Sequence, residues 1–153
     1  MKKICITLVV VVCLVTSLLS CANTYSTETK STEYAYLAVL EIFWYEDTLT
    51  VADLSDAKIE DKEAVYILME DFCRNKGTSF MRYEDYETAD IPYSPDIEVM
   101  MLSFKDIRLT KSRLVTEVSK TWPDYYAGFG TLVTVKRQGG EWTVTHTEAT
   151  WIS

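Results

Sequence analysis

Side chains able to do covalent or acid–base chemistry are scarce in this chain: one histidine, His146, and four cysteines, Cys5, Cys13, Cys21 and Cys73. A single imidazole excludes a metal site built on two histidines, and it excludes a His–His proton relay. A serine or cysteine nucleophile would have to use His146 as its base, yet no strained strand-to-helix motif surrounds any serine, and nothing around Cys73 marks it as a nucleophile. The nearest carboxylate partner is Glu148, two residues on, which strand alternation puts on the face of His146. Alternation argues against Glu117, which it sets opposite Leu114 and Val118. The reading is therefore no catalytic constellation, no metal site and no cofactor. The Trp and Tyr side chains could line a sugar or peptide site, but most are expected to pack a sheet.

A second grouping is acidic. Glu84, Asp85 and Glu87, with Asp90 and Asp96 beyond, are interleaved with Tyr83, Tyr86 and Tyr93. Their spacing does not match a calcium loop, which needs alternate Asp or Asn, a central Gly and a closing Glu. Tyr83, Glu84, Asp85, Tyr86 and Glu87 are instead read as an exposed acidic and aromatic contact surface. The chain holds 15 basic and 23 acidic residues, for a net charge of −8. So acidic a surface is repelled by phosphate backbones, which argues against a nucleic-acid partner.

The elements positioning these residues begin after an address. Lys2 and Lys3 precede an apolar run over 4–19, shorter than the about 20 residues that a spanning helix needs and followed by a small residue and Cys21. Leu18-Leu19-Ser20-Cys21 resembles the lipobox of bacterial lipoproteins. The resemblance implies a signal peptide over 1–20, cleavage by signal peptidase II and a diacylglycerol on the Cys21 thiol. Two or three acyl chains would then hold the protein on a membrane, each buried methylene contributing about 0.8 kcal/mol. Cleavage would take Lys2 and Lys3 and no acid, leaving 13 basic and 23 acidic side chains and a charge of −10. Ala22 follows the cysteine, where an aspartate would resemble an inner-membrane retention signal, so an outer membrane is expected if the host has one. Residues 21–31, rich in Thr, Ser and Asn, read as a lipidated tether that averages about 20 Å end to end. Residues 32–153 suffice for one domain, in reach of an envelope protein or cell-wall partner. Cys73 is the only thiol left unassigned.

Within the domain, the apolar run 34–45 fits a helix capped near Ser31 or Thr32. Residues 48–53 alternate as a short strand, Leu49 and Val51 against Thr48, Thr50 and Ala52. Residues 61–76 give the clearest helix: Val65, Leu68, Met69, Phe72 and Cys73 form one apolar stripe, and Gly77 is the stop. Cys73 within that stripe is predicted to be buried and inert. Residues 82–95 read as a loop with at most one helical turn. Four strands follow, 98–109, 113–122, 127–137 and 142–152, with Gln138-Gly139-Gly140-Glu141 a strong hairpin signal. Alternation puts Trp142, Val144, His146 and Ile152 on one face of the last strand, and Thr143, Thr145 and Thr147 on the other.

The fold expected is α+β: two N-terminal helices packed on a curved antiparallel four-stranded meander, with one further short strand possible. Gly128-x-Gly130, Gly140-Glu141-Trp142-x-Val144 and Trp151-Ile152-Ser153 resemble the closing hairpin of small secreted bacterial proteins with cystatin-like and NTF2-like domains. That resemblance carries no catalytic residue across. Three functions are compatible: a membrane-anchored module that binds an envelope partner, an inhibitor or immunity factor masking a basic enzyme, and an NTF2-like enzyme with a small pocket around His146.

Overall fold

The computed structural model describes residues 30–89, 98–123 and 127–153. Helix α1 (Tyr34–Phe43) buries Ala35, Tyr36, Val39, Leu40 and Phe43, a single stripe at helical spacing. It ends at Trp44, whose backbone is extended. Asp47 then turns the chain with a φ of 61°, a left-handed conformation that Asp tolerates better than most residues. Strand β1 (Thr48–Asp53) leads to α2 (Lys62–Asn75), where the Asp61 carboxylate accepts from the Ala64 N–H at 2.9 Å as an N-terminal cap. Val65, Met69 and Cys73 are the buried positions of α2, and Gly77, with a φ of 75°, follows its end.

Strand β2 (Ser79–Arg82) and the short helix α3 (Tyr83–Thr88) come next, then β3 (Glu98–Thr110), β4 (Arg113–Trp122), β5 (Ala127–Gln138) and β6 (Glu141–Ile152). The last four strands form the expected antiparallel meander. The sheet is larger than expected, however: it has six strands in the order β2-β1-β3-β4-β5-β6, and β1 pairs in parallel with both β2 and β3. The fold is thus mixed α+β, with β1 an interior strand of the sheet. Ser79-Phe80-Met81-Arg82 is too short to display a period, which is why it is hidden in sequence.

Helices α1 and α2 lie on one face of the sheet, here the inner face, over a core that includes Ala52, Leu102, Phe104, Leu114, Val118, Val133, Val135 and Trp142. At the parallel end the other face is covered too. Tyr83 and Tyr86 of α3 pack there with Met81 and Met101 on a second cluster of Leu49, Val51 and Val99. This explains a departure from the alternation expected of residues 48–53: the first five positions of β1 are all buried, since both of its faces have cover.

Strand β6 departs from simple alternation for another reason. Its register against β5 shifts twice, between Val144 and His146 and between Ala149 and Trp151, leaving Thr145 and Thr150 as extra residues. Each bulge reverses the parity of the residues beyond it. Trp142 is buried in the core with Val144 packed against it, but His146 lies opposite Thr134 on the outer face, contrary to the expectation that it shares their side. Thr147 correspondingly pairs with the inward-facing Val133, and Ile152, opposite Phe129, is 83% exposed.

Candidate functional site

A concavity in the described residues lies where a parallel β-α-β unit would put it. Strands β1 and β2 end side by side at Asp53 and Arg82, and the first turns of α2 rise beside them. Open α/β sheets bind ligands in the crevice outside the carboxyl ends of their strands, because loops and helix starts converge there. A cleft of about 490 Å³ occupies that position, bounded by Asp53 at the end of β1 and Ser55 beyond it, Lys62, Glu63 and Tyr66 on α2, and Arg82 to Glu84.

Both cations of the cleft are engaged inside the protein. The Lys62 ammonium donates to the Ser55 carbonyl at 2.9 Å. The Arg82 guanidinium pairs with Glu63 at 2.5 Å and lies 4.8 Å from the centre of the Tyr66 ring. Tyr66 in turn accepts from the Leu54 N–H at 3.3 Å, and burial pushes its phenol above the ordinary range. Two further carboxylates face the cleft. Asp53 holds the Ser55 N–H at 2.8 Å, and Glu84 is exposed. The walls are therefore aromatic and the remaining charge is negative, an arrangement suited to a cationic group.

The five residues read as a contact surface divide between two jobs. Tyr83 and Tyr86 are partly buried and fasten α3 to the second cluster. Glu84, Asp85 and Glu87 are exposed beside the cleft. Tyr83 also donates its hydroxyl to Glu87 at 2.5 Å, a bond that raises the phenol pKa. Cys21, the predicted lipid attachment site, lies outside the described residues, as do Asp90, Tyr93 and Asp96.

His146 is far less enclosed. Its side chain is 60% exposed on the last strand, 3.8 Å from Glu148. The bulge that turns His146 outward also brings it to the face of Glu117, whose partner across β5 is Leu132, itself opposite Glu148. Parity therefore does not separate Glu117 from His146 as expected. The Glu117 carboxylate accepts from the Thr150 hydroxyl at 2.9 Å. Cys73 is fully buried on α2, and burial raises its thiol pKa, with the Thr50 and Thr78 hydroxyls acting in the opposite direction.

Sequence reasoning missed the cleft because it missed β2. The one available signal was a strand, a helix and a second short apolar run in succession, which together spell a β-α-β unit. It also missed two buried polar residues of the inner face. Asp106 accepts from the Tyr36 hydroxyl and from the Lys58 N–H at 2.8 Å, joining β3 to α1 and to the segment after β1. Lys120 donates to the Phe43 carbonyl at 3.1 Å, at the end of α1, and lies 4.7 Å from the centre of the Trp122 ring; burial lowers its pKa.

Among the described residues no helix is long and apolar enough to cross a membrane, and no three His, Cys, Asp or Glu side chains gather as a metal site. Comparison with family models, with curated proteins and with solved structures returns no match for this chain.

Proposed function

We propose that this chain is an envelope lipoprotein, held on a membrane by an acylated Cys21, whose domain binds a basic partner at the β1–β2 cleft and along the acidic side of α3. The carrying observation is the charge pattern of the cleft: Lys62 and Arg82 are both engaged internally, while Asp53 and Glu84 present carboxylates at its walls. Asp85 and Glu87 extend that field along α3, which Tyr83 and Tyr86 fasten to the sheet. Exposed carboxylates act over about 8 Å at physiological salt, so they steer a partner more than they hold it.

The test compares two full-length variants in a pull-down from envelope extract across a salt series. The triple variant Glu84→Gln, Asp85→Asn, Glu87→Gln should lose capture of basic proteins while folding normally, since exposed substitutions cost about 0.5 kcal/mol or less each. His146→Ala should capture as the parent does. Loss of function in folded His146→Ala, with the triple variant unaffected, would replace this reading by an enzymatic one. The anchor is tested separately: Cys21→Ser should abolish incorporation of a fatty-acid analogue, and unchanged labelling would remove the lipoprotein part of the proposal.

A further inference from the structure

The outer face of β4, β5 and β6 carries a feature that the cleft does not use. In β5 the outward positions 128 and 130 are both glycine, directly opposite Thr121 and Ser119 of β4. Trp151 of β6 pairs with Gly130. Its indole fills the space that a side chain on Gly130 would need: a Cβ there would lie 2.1 Å from Nε1 and 2.4 Å from Cδ1. The far corner of the ring reaches to 3.3 Å from the corresponding point on Gly128. The ring thus lies across both glycines and reaches back toward β4.

This placement depends on the second bulge of β6. Ala149 pairs with Thr131 on the inner side, and plain alternation from there would turn residue 151 inward as well; the extra Thr150 turns it outward. Trp151 also differs from the other tryptophans: Trp122 turns to the inner side of β4, where its ring lies against Phe129 and the Lys120 ammonium. Trp44 and Trp142 donate their indole N–H groups to Thr78 and to the Ser31 carbonyl and pack against the main core. Trp151 is partly buried, belongs to neither apolar cluster, and makes no side-chain hydrogen bond among the described residues. With its inner side on the glycines, the exposed part of the ring is the side turned away from the sheet. Ser119, Thr121 and Glu117 stand in the adjoining row of β4, and Glu117 is already held by Thr150.

We propose that Trp151 is the platform of a second binding site, for a glycan made of pyranose rings. The axial C–H face of a pyranose is apolar and stacks on an indole, while its equatorial hydroxyls need donors and acceptors around the ring edge. The hydroxyls of Ser119 and Thr121, the Glu117 carboxylate and the Trp151 N–H supply both kinds. Charge on this face is mixed, with Lys105 of β3 directly opposite Glu117, so recognition rests on stacking and on hydroxyl pairing. Ring placement is fixed before binding by the two glycines, so little ordering is required when the ligand arrives.

The experiment uses the full-length protein in detergent, labelled with ¹⁵N and titrated with N-acetylglucosamine and cellulose oligomers. The Trp151 indole resonance, assigned from its absence in Trp151→Phe, should shift on titration, with those of Trp44, Trp122 and Trp142 unmoved. Trp151→Ala should weaken the binding about tenfold or more, as truncation of a central aromatic contact does, and Trp151→Tyr should restore most of it. Absence of an indole shift with either oligomer family in the parent protein would overturn the proposal, whatever the variants do. So would a sedimentation result in which the parent is dimeric and Trp151→Ala monomeric, because the face would then be an interface between two copies of the chain.

Discussion

The two ends of the sheet solve the same problem in opposite ways. At the parallel end, β1 is covered by helices on one face and by α3 on the other, and five consecutive residues of it are buried. At the antiparallel end β6 has no strand beyond it, carries two bulges, and is exposed at most of its positions. Parallel strands joined by helices come with cover on both faces, whereas a meander needs burial on one side only. The consequence is a division of labour. The parallel end builds a concavity from converging strand ends, and the antiparallel end displays side chains on an open surface where bulges decide which of them face out.

The most severe way to probe this contrast is a charge at matched positions. Val51 is fully buried on the outer side of β1, while Val115 of β4 is partly exposed on the same side of the sheet. Val51→Asp should cost several kcal/mol by burying an unpaired carboxylate, a large part of the about 5–15 kcal/mol that holds a typical domain. Val115→Asp should cost about 1 kcal/mol or less. Urea titrations of the two proteins measure both, and equal losses would mean that the two ends do not differ in cover.

A smaller loss is expected at the junction between helix layer and sheet. Asp106→Ala removes the acceptor of the Tyr36 hydroxyl and of the Lys58 N–H and should cost about 3 kcal/mol in the same measurement. Tyr36 also predicts a pH dependence. Burial first, and then its bond to Asp106, raises its phenol pKa well above the ordinary value of 10.0. The folded state therefore favours the neutral phenol. This stabilisation is fully present below the unfolded pKa and is lost as pH rises above about 10. Tyr36→Phe should flatten the alkaline fall in stability; an unchanged slope would assign it to other groups.

The weakest effect is expected at Cys73. Cys73→Ala should cost about 1–2 kcal/mol, and the native thiol should resist alkylation until the protein unfolds. Fast modification of Cys73 in the folded protein, mapped by mass spectrometry, would place that face of α2 in solvent.

Legibility in the sequence divides along the same line. The meander is legible almost to the residue, because each strand alternates or is bounded by turn signals such as Gly139-Gly140. Helix α2 is legible because cap, stripe and stop agree. The parallel edge is not: β2 offers four residues and no period, and the acids of α3 obscure two tyrosines that anchor it. Nor can the side of His146 or Trp151 be read, since a bulge leaves no mark in a run of threonines. The cleft depends on β2 and is lost with it, although Tyr83 and Glu84 at its rim stand out for their type.

The first described residues are fastened to the far end of the chain. The Lys30 N–H donates to the Gly140 carbonyl at 3.2 Å, the Trp142 indole donates to the Ser31 carbonyl at 2.7 Å, and the Lys30 ammonium meets Glu141 at 2.6 Å. Mechanically this is a clamp in series with whatever precedes Lys30. Tension on the preceding chain is delivered to the β5–β6 turn before it can reach α1, and these attachments, with a further bond from Arg137 to the Lys30 carbonyl, must part before the helix begins to unwind. A load applied there would be shared between the first helix and the last hairpin, so the domain should yield under force at this clamp, with the six-stranded sheet still intact behind it.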